Sequence, residues 1–339
     1  MRTHAFAGSA LLCLVVACTS APAPTESSIV PLARRARYRP IDLGTLGGPG
    51  TGSVAYGIDD AGRIVGWSAT AAGEIHAFLW ESGVMSDLGT LGGFYSEARG
   101  INPKGQIVGL SFLESGDAHA VLWEHGVPRD LGALTGTNSG AFGINASGQV
   151  VGNWRDASEA EHAFVWARGV IQDLGSADRF MAANAISARG DIVGVMALPT
   201  GAHHAFLRRH GATTDLGTLG GPFSQATGVN ARGQVTGYSD TEMGEHAFLW
   251  EHGVMRDLGT MGGSRSTAEG INASGQIVGA SFTQLGEVHA YVWDSDVTTL
   301  LETLGGASSA ARAINAAGAI VGESATPEGT MHATLWVAQ

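Results

Sequence analysis

The sequence predicts an all-β protein: a seven-bladed β-propeller with four strands per blade, closed by an N-terminal strand that completes the last blade. Three observations carry this. One four-part unit recurs seven times at a spacing of 42 or 43 residues. The apolar runs inside each unit are four to seven residues long and bounded by glycine-containing turns. The two ends of the chain carry complementary fragments of one unit. Four short strands in about 40 to 45 residues is the signature of a propeller blade. A helical solenoid would need a 3.6-residue apolar period, which is missing.

Within a unit, the first strand ends on a G-I-N element: Gly57-Ile58-Asp59, Gly100-Ile101-Asn102, Gly143-Ile144-Asn145, Ala185-Ile186-Ser187, Gly228-Val229-Asn230, Gly270-Ile271-Asn272 and Ala313-Ile314-Asn315. Asn and the following Gly supply the chemistry of a tight turn. The second strand is a G-x-I-V-G element, as in Gly62 to Gly66, with counterparts beginning at Gly105, Gly148, Gly190, Gly233, Gly275 and Gly318. The third is H-A-F-L-W or a variant, beginning at His76, His119, His162, His204, His246, His289 and His332. Being apolar on both faces, it suits a sheet packed between two others. The fourth leads into D-L-G-T-L-G-G, at Asp42, Asp87, Asp130, Asp173, Asp215, Asp257 and a degenerate copy at Leu300. The chain enters the repeats on a lone fourth-strand fragment, Tyr38 to Gly44, and ends on a third strand, His332 to Val337. Pairing the two completes the last blade and leaves only short sheet edges.

Composition agrees with this reading and narrows the function. Glycine makes up 51 of 339 residues at regular offsets, and 44% of residues are hydrophobic against 15% charged. A formal net charge of −12 argues against a phosphate-backbone partner, which needs a basic face. Both cysteines, Cys13 and Cys18, precede the repeats, so neither disulfides nor thiolate metal sites belong to the folded domain. Residues 1–17 read as a signal peptide, with Arg2 before the apolar stretch Ala10 to Ala17. The segment Val15-Val16-Ala17-Cys18 resembles a bacterial lipobox, which implies lipidation at Cys18. Residues 18–37 follow as a tether rich in Pro, Ser, Thr and Ala, and 38–339 form the propeller. The expected location is outside the cytoplasm, at the outer membrane or cell surface or else in the periplasm. The only membrane contact expected is the lipid anchor, and the protein is expected to be monomeric.

The H-A-F tripeptides at His76, His162, His204 and His246 resemble the bacterial extracellular repeat called the HAF family. The resemblance spans essentially residues 38–339 and implies extracellular or cell-surface placement. It brings no catalytic residues with it. The copies depart from the pattern at Ser187, Arg208 and Leu300, and at His119, His289 and His332, which begin H-A-V, H-A-Y and H-A-T.

For chemistry, the repeated histidines are the first candidates. A hairpin that pairs Trp80 with Met85 and Phe78 with Asp87 sets His76 diagonally across from Asp87 on one face. The same spacing links His119 with Asp130, His162 with Asp173, His204 with Asp215 and His246 with Asp257. These are expected to be structural pairs. The repeated Asn residues read as turn-formers and the Trp residues as plugs between blades. The sequence carries no H-E-x-x-H, G-x-S-x-G, P-loop or D-x-D-x-D-G pattern. Neither a metal nor a cofactor is expected.

The longer, variable second-to-third-strand and blade-to-blade connections should share one face. That face holds Phe94, Tyr95, Glu114, Asp117, Glu159, Glu161 and Phe223, and it is the expected site for an unknown protein or glycan. The expected function is a non-enzymatic binding or scaffold module. The alternatives are a lectin-like carbohydrate binder, stacking sugars on Tyr95, Phe94 or Phe223, and an extracellular hydrolase or lyase acting in the central channel. Unlike polar residues converging in the channel would favour the enzyme. Similar small pockets repeated between blades would favour the lectin.

Overall fold

The strands alternate with turns of fixed chemistry from Tyr38 to the C-terminus. A computed structural model of the chain describes residues 37–134, 136, 138–175 and 180–339. The expected signal segment, Cys18 and the expected tether as far as residue 36 lie outside the described residues. Every regular element among those described is a β-strand. The 28 strands fall into seven groups of four antiparallel strands, spanning 53–87, 92–132, 138–173, 181–215, 224–257, 262–300 and 309–338. The last group has three strands of its own, and its fourth is Tyr38–Asp42. That strand runs antiparallel to Met331–Ala338, from Tyr38 opposite Ala338 to Asp42 opposite Thr334. Two pairs of groups are also linked by a single parallel bridge, Ile75 to Tyr95 and Glu245 to Arg265. The fold is β-propeller-like and all-β.

The core lies between groups. Seven apolar clusters are found among the described residues, and each draws on two successive groups. Val65, Ala77 and Leu88 of the first group meet Ala98, Ile107 and Trp123 of the second. Val321 and Ala333 of the last group, with Leu43, meet Ala55, Ile64 and Phe78 of the first. Each sheet is apolar on both faces because it serves two cores. Trp123 and Trp336 are fully buried, and their indole N–H groups donate to the Leu88 and Glu302 carbonyls at 3.0 and 2.7 Å.

Polar side chains clip the groups together. The Asn102 carboxamide oxygen accepts the Lys104 and Gln106 N–H groups and so forms the turn. Its Nδ2 donates to the Asn145 carbonyl of the next group at 3.1 Å. Asn145, Asn230 and Asn272 reach the next group in the same way, and Asn315 donates to the Asp59 carbonyl of the first. A serine at the start of most first strands makes a second clip. Ser96 Oγ accepts the buried Ala77 N–H at 2.8 Å and donates to the Gly89 carbonyl at 2.7 Å. The third and fourth strands join through two-residue turns such as Ser82-Gly83, with φ of 53° and 87°. This is the type I′ geometry, whose twist matches the flanking strands.

Candidate functional site

Each first strand carries a β-bulge at the same repeat position. The register slips between Ala55 and Gly57, Ala98 and Gly100, Ala141 and Gly143, Ala183 and Ala185, Ala226 and Gly228, Ala268 and Gly270, and Ala311 and Ala313. A bulge leaves one residue unpaired and re-aims its side chain. The seven bulged residues are Tyr56, Arg99, Phe142, Asn184, Thr227, Glu269 and Arg312. All seven, with Gln225, line one cavity of about 280 Å³. The alanine before each is invariant across the seven copies, whereas the bulged residue takes six different identities.

Two of the seven continue the clipping of groups. Asn184 Nδ2 donates to the Ala226 carbonyl at 2.9 Å, and the Thr227 hydroxyl donates to the Ala268 carbonyl at 2.6 Å. The charged ones are held by neighbours. Arg99 lies 4.0 Å above the Tyr56 ring, and its Nε donates to Glu97 at 2.6 Å. The other Glu97 oxygen accepts from the Tyr95 hydroxyl at 2.9 Å. Trp67 donates to the Tyr56 hydroxyl at 3.2 Å. Arg312 donates through Nη2 to Glu323 at 2.6 Å, while its Nη1 stands 3.9 Å from Glu269. The Arg312 Nε is buried with no hydrogen-bond partner among the described residues. Burial pushes the Glu269 carboxyl above its ordinary value, against the pull of Arg312. Burial also raises the nearby Tyr238 hydroxyl, to about 12.

The predicted His–Asp residues fall as follows. Nδ1 of His76 lies 2.8 Å from Asp87, and His119, His204 and His246 lie 2.9 Å from Asp130, Asp215 and Asp257. His162 departs from the expectation. It stacks on Trp154 and bonds Asp156 through Nε2 at 3.1 Å, leaving Asp173 at 3.8 Å and Nδ1 buried without a hydrogen-bond partner among the described residues. Ser158 and then His162 hold the Asp156 carboxyl down at about 2. His332 pairs with Asp42 at 2.9 Å across the chain ends. Among the described residues, no group of three or more His, Cys, Asp or Glu is placed to hold a metal.

Of the expected ligand-face residues, Phe94 and Tyr95 fall in the strand Gly92–Ile101 and Glu161 in Glu161–Ala167, while Glu114, Asp117, Glu159 and Phe223 lie in the connections. Leu91 bridges to Leu113, and Glu114 lies against Gly92. The expected residues are spread over three groups: Phe94, Tyr95, Glu114 and Asp117 belong to the second, Glu159 and Glu161 to the third, and Phe223 to the fifth. Phe94 is 59% exposed and sits edge-on to Phe112. Tyr95 is half-buried with its hydroxyl committed to Glu97, and Phe223 is half-buried and stacked on Tyr238. Neither is a free stacking platform for a sugar. Loop cavities beside His246 and beside His332 occupy related positions in two groups.

No family model matches the chain, and no curated protein matches it in sequence. Solved structures share its fold. A puromycin hydrolase superposes with a TM-score of 0.59 at 15% identity, over 88% of this chain and 55% of that one. A Mycobacterium tuberculosis puromycin-hydrolyzing peptidase gives 0.58 at 11% identity, over 89% and 55%. The acylaminoacyl peptidase of Pyrococcus horikoshii gives 0.53 at 13% identity, over 87% and 52%. The chain thus spans little more than half the length of these hydrolases, and the likeness carries the fold. The expectation of a non-enzymatic binding or scaffold module is corrected against these three neighbours, which are a hydrolase and two peptidases, though at 11–15% identity they share the fold alone with this chain.

Proposed function

We propose that the protein is a hydrolase-class propeller whose substrate is held in the cavity lined by the seven bulged residues. In this reading the seven groups are blades of one ring, closed by Tyr38–Asp42. The packing of the last group on the first and the Asn315 to Asp59 hydrogen bond support closure. The observation that carries the functional reading is convergence. One repeat position, unlike in almost every copy, supplies a residue from each of the seven blades to a single cavity, joined there by Gln225. Residues that serve the fold repeat, whereas this position varies, and only Asn184 and Thr227 of the seven clip one group to the next. Glu269 has the chemistry of a proton donor: a carboxyl pushed above its ordinary value keeps its proton closer to neutrality. Arg312 beside it can stabilise negative charge that develops on a reacting acyl group.

Short acylated or peptide-like compounds are the proposed substrates, because a puromycin hydrolase and an acylaminoacyl peptidase are among the solved structures that share the fold. The H-A-F repeats and the Val15-Val16-Ala17-Cys18 segment support an exported protein held by a lipid at Cys18. The test is turnover of N-acyl aminoacyl 4-nitroanilides and esters by the full chain and by Glu269→Gln. We expect hydrolysis of at least one of them, with kcat reduced by about 100-fold or more in the variant. No turnover of any, or turnover indifferent to Glu269, would overturn the reading.

A further inference from the structure

We infer that the cavity recognises a small organic anion, through a carboxylate held by Arg99 and Arg312 on either side of Tyr56. The inference rests on the cavity being the substrate site and adds the chemical class of what enters it. Tyr56 belongs to the first group, and the two arginines belong to the groups packed on either side of it. Each guanidinium is anchored by one carboxylate and left with spare donors. Arg99 spends Nε on Glu97, and neither of its Nη groups has a hydrogen-bond partner among the described residues. Arg312 spends Nη2 on Glu323. Its Nη1 is beyond hydrogen-bond distance of Glu269 at 3.9 Å, and its Nε is buried without an acceptor.

A guanidinium offers five donors in a fixed fork that matches a carboxylate. Leaving a buried charged donor unpaired is costly, and the Arg312 Nε is such a donor. With the spare, solvent-accessible Nη groups of Arg99 on the same cavity, it marks a place for an anionic acceptor. The anchoring carboxylates balance the two arginines one for one. Glu269, the carboxylate left over, sits where burial disfavours its charge. A cationic ligand is poorly served, because the open face of Tyr56 is already covered by Arg99 at 4.0 Å. Elsewhere in the cavity the Gln225 side chain has no hydrogen-bond partner among the described residues, which suits a neutral amide or hydroxyl on the rest of the molecule. At about 280 Å³ the cavity is small for a ligand site, which fits an acylated amino acid as the part of the ligand held there.

The test compares N-acetyl-L-alanine with N-acetyl-L-alaninamide, two probes that differ only in the carboxylate, by calorimetric titration of the full chain. The acid should bind about tenfold or more tighter than the amide, as expected for a charge-assisted pair. The preference should fall to about threefold or less in Arg99→Met and in Arg312→Met. It should survive in part in Arg312→Lys, which keeps the charge but not the fork, and fully in Arg168→Met on a surface turn. Melting curves establish that each variant is folded. Equal binding of the two probes, binding of neither, or a preference that survives in both methionine variants would overturn the inference. A carboxylate preference without any turnover of esters or anilides would remove the hydrolase reading and leave this one standing. Turnover without a carboxylate preference would do the reverse.

Discussion

At Ser96, Glu269 and their counterparts, single side chains decide how the groups hold together and what the cavity can bind. Ser96 Oγ is the acceptor for a buried backbone N–H of the preceding group. Ser96→Ala leaves that donor unpaired and should cost about 1–3 kcal/mol, measurable as a lower denaturation midpoint. Ser96→Thr, which keeps the hydroxyl, should cost less. Glu269 makes a different prediction. Its folded carboxyl binds a proton more tightly than the unfolded chain does, so it lowers stability as pH rises from the ordinary carboxylate value through the raised one. Glu269→Gln removes this burden. The variant should melt above the parent at about pH 8 and close to it at about pH 4. A parent that melts higher at the upper pH would show that the Arg312 pairing outweighs burial. The sequence gives access to part of this scale. The Phe78 to Asp87 register follows from strand alternation and sets His76 beside Asp87. Nothing local distinguishes His162, whose ring is drawn onto Trp154 and Asp156 by a neighbouring strand and loop.

Among the strands, the bulge is the feature that sequence periodicity hides. Alternation assigns a residue to a face by counting in twos, and a bulge breaks the count at the very position that lines the cavity. The G-I-N element is plain in the sequence, yet the residue just before it, Tyr56 or Glu269, passes as one more variable strand position. The available signal was variation itself: an invariant alanine, one unlike residue, then glycine or alanine, seven times over. The strand opposite depends on a glycine for a separate reason. At Gly152 a side chain would overlap the Gly140 carbonyl oxygen and press on Phe164. Gly152→Ala should therefore unfold the third group or lower the melting temperature sharply. The same change at Gly169, a turn glycine at φ 86° with open space around it, should cost only about 1 kcal/mol. Comparable melting of the two variants would contradict the close approach of the paired strands.

For the molecule as a whole, the first and last described strands pair. Tyr38 and Leu43 are buried against the last and first groups, and Ile41 is only half-buried. Burial of two such side chains is worth about 3–6 kcal/mol, a large part of typical net stability. A chain beginning at residue 46 should melt well below one beginning at residue 37, or aggregate through the exposed edge of Met331–Ala338. This much is legible in the sequence, because repeats announce their own number and the two incomplete ends complement each other. The function is less legible, since a cavity assembled from residues 42 or 43 positions apart has no contiguous motif. The most direct test replaces Arg99, Glu269 and Arg312 together by threonine, the residue the fifth group already carries at this position as Thr227. Its turnover of N-acyl aminoacyl esters is compared with that of a variant in which Glu114, Asp117, Glu159 and Glu161 on the loops are all made neutral. If the cavity is the site, the threonine variant stays folded and loses turnover by about 100-fold or more while the loop variant keeps it. Full turnover in the threonine variant, with loss in the loop variant, would move the function to the loop face and contradict the account.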